Sequence, residues 1–187
     1  MIYSFDFPTD YKDNLIGIYD KSSGDSPHNL KAFGYKSDWK APIVNFDIAE
    51  RKIDPIPSTN LPVQIMRNDL ANEIKNIAGE ELLIIPITVF FKKKKSGNYS
   101  IILPVREVAI WDLAESQWEP LNTPDWPKHK PMFLYDMVLL KSLPTDFHIA
   151  YNNAFNGMIV FTESVKKKIE QYSSWVSIFT PQHYRNQ

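Results

Sequence analysis

The chain has 187 residues, a formal net charge of −1, 43% hydrophobic residues, no cysteine, 6 glycines and 14 prolines. That apolar content suits a folded domain rather than a disordered chain, and the length fits one domain spanning residues 1–187. The missing cysteines exclude disulfides, thiolate metal sites and a cysteine nucleophile, and a near-neutral total gives no global attraction for nucleic acid or an anionic membrane.

In chain order, residues 1–64 are turn-rich. The start, Met1 to Pro8, lacks the basic segment and long apolar stretch of a secretory signal, and Pro86 breaks the longest apolar run, 82–91, far short of the ~20 residues needed to span a bilayer. A cytoplasmic protein is therefore expected. Ser22 to Pro27 is a loop by composition, Leu15–Tyr19 and Pro42–Phe46 read as short strands or irregular packing segments, and residues 28–35 suit a short helix. The first 60 residues are otherwise expected to be irregular.

The periodicity sharpens after Leu61. Val63, Ile65 and Met66 suggest a short strand. Asn68 stands where an N-cap belongs, with Asp69 in the first turn. Met66, Leu70, Ile74 and Ile77 recur at spacings of four, four and three, one face of a helix that Gly79 stops. Glu81–Phe91 and Tyr99–Val105 read as two strands of a hairpin, with Lys92–Lys95 and Ser96-Gly97-Asn98 as its exposed basic turn. Residues 106–118 fit either strand or a short helix, and the prolines of 119–131 mark a loop. Met132–Leu143, Phe147–Tyr151 and Gly157–Phe161 read as strands. A helix follows from about Thr162 with Val165, Ile169 and Tyr172 on one face, and Trp175–Phe179 closes as a strand. Leu70, Ile74, Ile77, Leu83, Ile84 and Pro86 align at an offset of 95 with Val165, Ile169, Tyr172, Ile178, Phe179 and Pro181. This is either coincidence between two amphipathic strand–helix–strand units or an internal pseudo-repeat. The fold class is α+β, with a mixed or mainly antiparallel sheet and a few short helices.

Signatures of chemistry are sparse. His28, His129, His148 and His183 are far apart with no ligand spacing, and His148 reads as a packed strand histidine, so no metal or cofactor is expected. No G-x-S-x-G, G-x-G-x-x-G or P-loop occurs. Glu80-Glu81 reads as a solvated turn beyond Gly79. The lysine runs Lys92–Lys95 and Lys166–Lys168 read as solvated surface, the first with phosphate or an acidic partner as its alternative. The opposite charge is gathered between Glu107 and Pro127: Glu107, Asp112, Glu115, Glu119 and Asp125 lie there with no Lys or Arg, alongside Trp111, Trp118 and Trp126. Aromatic anchors in a charged rim suit a protein interface, and negative charge steers a basic partner. The candidate partner-binding residues are thus Trp111, Asp112, Glu115, Trp118, Glu119, Asp125 and Trp126. The other reading packs the tryptophans under a proline-rich loop while the acids face water.

The run Ile65-Met66-Arg67-Asn68-Asp69-Leu70, a short helix, and Leu82-Leu83-Ile84-Ile85-Pro86-Ile87 resemble the central pattern of a bacterial immunity-protein family of polymorphic toxin systems, first catalogued as a domain of unknown function. Met158-Ile159-Val160-Phe161, the cap Thr162-Glu163-Ser164 and the closing helix and strand resemble that family's end, so the resemblance covers about residues 61–181. The family often has Ser-Glu at the central cap, where this chain has Asn68-Asp69. The shared motifs are structural, and no functional residue transfers. The resemblance implies a non-enzymatic protein that binds a cognate toxin, a basic one if the acidic span is the contact, and occludes it stoichiometrically. A small hydrolase or ligand-binding enzyme with an unrecognised site is the alternative. Neither a membrane nor nucleic acid is an expected partner, and no pattern sets the oligomeric state.

Overall fold

A computed structural model describes residues 1–7, 12–27, 30, 35–123, 128, 133–154, 158–182 and 184–185. In chain order the strands are β1 (Ile2–Asp6), β2 (Ile18–Tyr19), β3 (Val44–Phe46) and β4 (Ile65–Arg67), followed by helix α1 (Asn68–Ala78). Then come β5 (Leu82–Phe91), β6 (Lys94–Pro104), β7 (Glu107–Val108), β8 (Gln117–Glu119), β9 (Phe133–Met137), β10 (Ile149–Asn152) and β11 (Ile159–Thr162). Helix α2 (Glu163–Tyr172), β12 (Ser177–Phe179) and β13 (Tyr184–Arg185) complete the chain. Mixed sheets with two short helices make this an α+β fold. No helix among the described residues is long and apolar enough to cross a membrane.

The strands form a five-stranded sheet β12-β1-β11-β10-β7, a second five-stranded sheet β2-β3-β5-β6-β4, and a small sheet β13-β9-β8. Each large sheet is antiparallel except for one parallel pair, β10 with β7 and β3 with β5. Each large sheet also holds a strand–helix–strand unit of the same kind. In β4–α1–β5 the two strands are parallel, with antiparallel β6 between them. In β11–α2–β12 they are parallel, with antiparallel β1 between them. The likeness ends at that layout: β6 is hairpin-linked to β5, whereas β1 arrives from the amino terminus.

Period-two alternation gives both sheets two apolar faces. The central core takes Met66, Leu82 and Ile102 from the second sheet, Tyr3, Ile149 and Phe161 from the first, Leu70 and Ile74 from α1, and Val165 and Ile169 from α2. Outside the second sheet, Val44, Phe46, Ile87, Val89, Phe91 and Tyr99 build another core. Outside the first, Ile2, Ile110, Trp111, Met137, Phe147 and Val160 build a third.

Several expectations need correction. β1 was not foreseen, yet it lies inside the first sheet with Ile2, Tyr3 and Ser4 buried. Asn68 is not the N-cap: Arg67 holds that place, and Asn68 instead donates from Nδ2 to Gly97 O (3.0 Å) and accepts from Ser100 Oγ (2.8 Å), joining α1 to β6. Gly79 does stop α1, at φ 54° and ψ −128°. The hairpin turn is shorter than expected. Lys92 and Lys93 alone make it, both at positive φ (46° and 69°), and Lys94 already pairs with Phe91. Ser96-Gly97-Asn98 forms a bulge, where the register shifts between Ile87 and Val89. Residues 113–116 form a turn and β8 follows, so no helix starts there. His148 is exposed rather than packed, and Glu81 is no mere solvated turn residue: its Oε2 accepts the backbone N–H groups of His148 (2.6 Å) and Ile149 (3.2 Å), tying the start of β5 to β10. Of the helix expected over 28–35, residues 28–29 and 31–34 lie outside the described residues.

Candidate functional site

The acidic span folds into a braced turn on the outer side of the first sheet. Trp111 forms an isolated antiparallel bridge with Leu139, and the backbone around it is held by Asp112 N–H to Val138 O (2.8 Å) and Leu140 N–H to Ile110 O (3.0 Å). An aspartate that begins a turn can accept the N–H groups two and three residues on. Asp112 Oδ1 does so from Ala114 (3.2 Å) and Glu115 (3.3 Å). Ser116 closes the turn, donating to Asp112 O while its Oγ accepts Val138 N–H (2.9 Å). Trp118 Nε1 donates to Leu113 O (2.9 Å), which satisfies the indole and pins the strand end to the turn.

The two tryptophans therefore do not stand out as exposed anchors. Trp111 is 5% exposed and belongs to the third core, and Trp118 packs half-buried against it. Glu115 and Glu119 are exposed, and Asp112 is half-buried. Alternation along β8 puts Gln117 and Glu119 on the side opposite Trp118, and Asp136 on β9 lies across from Gln117. The structure thus places Asp112 and Glu115 on one turn to which Trp118 is pinned, puts Glu119 on the side of β8 opposite Trp118, and buries Trp111 in the third core. Asp125 and Trp126 lie outside the described residues.

A cavity of about 700 Å3 opens between β1, the segment 58–64 and the end of β12. Its wall is mostly apolar, with Phe5, Phe7, Leu61, Met158 and Phe179 together with the inner side of Trp111. Asp6 is the only carboxylate among the described lining residues. Ser4, nearly fully buried in that wall, donates its hydroxyl to Ile159 O (2.7 Å), so its polarity is absorbed by the sheet. Among the described residues no group of three or more His, Cys, Asp or Glu is placed to hold a metal ion.

Sequence reasoning missed two buried or half-buried carboxylates. Glu81 is one. Asp54, 5% exposed, is the other: its Oδ1 accepts Ile56 N–H (2.8 Å) and its Oδ2 accepts Ser174 N–H (3.3 Å). Each acid caps at least one backbone donor from a distant stretch of chain, Glu81 at His148 and Asp54 at Ser174, and no local pattern signals that. The cavity was missed for the same reason, because its walls come from segments more than a hundred residues apart.

No protein-family model matches the sequence, and no curated protein is similar to it.

Proposed function

We propose that this chain is a protein-binding partner of the immunity type, which neutralises a bacterial toxin by stoichiometric occlusion without chemistry of its own. The observation that supports this reading is the braced acidic turn. Asp112, Glu115 and Glu119 are displayed from a backbone fixed by three side-chain devices, so little conformational freedom is lost when a partner docks. A rigid negative turn suits a basic partner face, for which electrostatic complementarity raises the association rate and excludes wrong partners. The resemblance over residues 61–181 points the same way.

The test is co-expression with any toxin domain that a neighbouring gene encodes, followed by calorimetry of the purified pair. Protection of the cells and a 1:1 complex are expected. In the triple variant Asp112→Lys, Glu115→Lys, Glu119→Lys, affinity should fall at least about 100-fold and the salt dependence should flatten. Unchanged binding by a folded variant would remove this surface, and no protection by the native chain would remove the immunity reading itself.

The cavity favours a second reading, a small ligand-binding protein or hydrolase, because its volume lies in the range of small-molecule sites. A fragment screen by ligand-observed NMR separates the two. Hits displaced by Phe5→Trp, which narrows the cavity, would support the second reading, and a silent screen would count against it.

A further inference from the structure

Some cationic side chains of this molecule are neutralised. Arg67 pairs with Asp69 (2.7 Å), Arg106 with Asp146 (3.3 Å), Lys166 with Glu170 (3.2 Å) and Lys168 with Glu73 (2.8 Å). Lys92, Lys93, Lys94 and Lys95 differ: all four are exposed, and none has an ion-pair partner among the described residues. They sit at the end of the β5–β6 hairpin, whose paired register runs from Leu82 with Pro104 to Phe91 with Lys94. At about 3.4 Å per residue, that carries the tip roughly 30 Å from the junction with β10.

The tip is also stiff. Lys92 N–H donates to Phe46 O (3.0 Å), the Phe46 and Phe91 rings stack with centroids 5.1 Å apart, and Ser96 Oγ donates to Glu50 Oε1 (2.8 Å). Among the described residues, Lys92 and Lys93 are the non-glycine positions with positive φ. A two-residue connection with positive φ at both positions is the type I′ hairpin turn, for which Asn-Gly is the favoured pair. Lysine at both positions strains the backbone. Outliers of this kind gather where another requirement holds the residue in place.

We infer that the Lys92–Lys95 tip docks on the phosphodiester backbone of a nucleic acid. Four contiguous ammonium groups match phosphate oxygens, which lysine contacts as a point charge. They match a protein partner poorly, since lysine is depleted from protein interfaces while aromatics and arginine are enriched. The groove on the β2 side of the turn carries Asp13, Asp20 and Asp47 next to Lys92 and Lys93. Those acids repel phosphate, so the nucleic acid lies across the end of the hairpin, away from that groove. Lysine ammonium groups carry no planar fork to read base edges, so binding is indifferent to base sequence. The net charge of −1 does not reveal this run of four lysines. The inference stands apart from the immunity reading, which uses the acidic turn.

The test is a fluorescence anisotropy titration of the full chain against a labelled single-stranded oligonucleotide at increasing salt. Four phosphate contacts give a log–log slope of about −3, or about a 50-fold loss between 50 and 200 mM salt. Lys94→Glu with Lys95→Glu should lower affinity most, by about 100-fold at low salt. Lys92→Asn with Lys93→Gly should lower it about tenfold and halve the slope, while raising the melting temperature, so weaker binding there cannot be blamed on misfolding. The control Lys141→Glu with Lys167→Glu makes the same charge change on exposed lysines elsewhere and should have little effect. No binding at low salt, or an equal loss in the control, would overturn the inference. So would displacement of the oligonucleotide by polyglutamate at equal charge, or tighter binding to phosphatidylserine vesicles, which would assign the tip to an acidic protein or a membrane.

Discussion

The two strand–helix–strand units share a layout and differ in how each helix is held. α1 buries Leu70, Ala71, Ile74 and Ala78, whereas α2 buries only Val165 and Ile169. α1 leaves through Gly79 at positive φ, whereas α2 leaves through Ser173 in an ordinary extended conformation. The strand after α1 is ten residues long and hairpin-linked, and the strand after α2 has three residues. α1 is thus fixed by burial and by a long hairpin. α2 draws much of its order from polar links: Lys166 with Glu163 and Glu170, Lys168 with Glu73 on α1, and Lys166 over the Tyr3 ring at 5.1 Å. One topology tolerates both solutions because the helices meet in a common core that neither builds alone.

Large-to-small substitutions in that core should show the largest effects. Leu70→Ala and Ile169→Ala each remove a side chain with almost no exposure and should each destabilise by about 3 kcal/mol in urea unfolding. A single transition with an unchanged m-value is expected in both. A markedly smaller loss at Ile169, or a separate early transition, would show that α2 docks on a core already complete without it.

The two helix exits should separate next. Gly79→Ala places a side chain at φ 54° and ψ −128° with nothing within 4 Å of the new Cβ, so its cost is conformational and should be about 1–2 kcal/mol. Ser173→Ala loses one long hydrogen bond, to Trp175 N–H at 3.4 Å, and should cost roughly 0.5 kcal/mol. Equal losses at both exits would refute the claim that only α1 depends on a left-handed stop.

The hairpin extends the contrast with a gain. Lys92→Asn with Lys93→Gly relieves two left-handed lysines and should stabilise by about 1 kcal/mol, read from the denaturation midpoint. No comparable gain is available in the second unit, whose described non-glycine residues all have negative φ.

How much of this was legible follows from the range of the signal. α1, α2, β5 and β6 announce themselves because helical spacing and long β-branched runs are local. Gly79 as a stop was readable for the same reason. β1 was not, since Ile2-Tyr3-Ser4-Phe5 is covered on both faces and shows no alternation. The length of the lysine turn was hidden because sequence favours Ser-Gly-Asn as the connection, and the paired register instead spends those residues on a bulge. At the acidic turn the residue types were readable and their roles were not. Charge placed Glu115 and Glu119 on the surface, but only the pairing of Trp111 with Leu139 shows that this tryptophan faces inward. The carboxylates Asp54 and Glu81 lay beyond reach, because each satisfies a donor from distant chain.

The smallest effect tests what the two helix starts share. Each helix opens on an acid near its positive end, where a negative charge is favoured. Asp69 is held below the usual carboxylate range chiefly by its hydrogen bonds to the Arg67 guanidinium, and Glu163 chiefly by the Tyr3 hydroxyl. A carboxyl depressed in the folded state lends stability above its unfolded value, near pH 4, and that stability is lost as pH falls through the folded value. Carbon-detected NMR titration should therefore place both midpoints below those of a model peptide. Asp69 has a half-exposed side chain, so solvent screens its pair with Arg67, and Asp69→Asn should cost only a few tenths of a kcal/mol at pH 7 and nothing at pH 2. Added salt should move the Asp69 midpoint upward, because its partner is a cation. The Glu163 midpoint should respond less, because the largest cause of its depression is a neutral hydroxyl and the Lys166 ammonium stands 3.8 Å away. Equal salt shifts at the two would show that charge rather than hydrogen bonding anchors both helices.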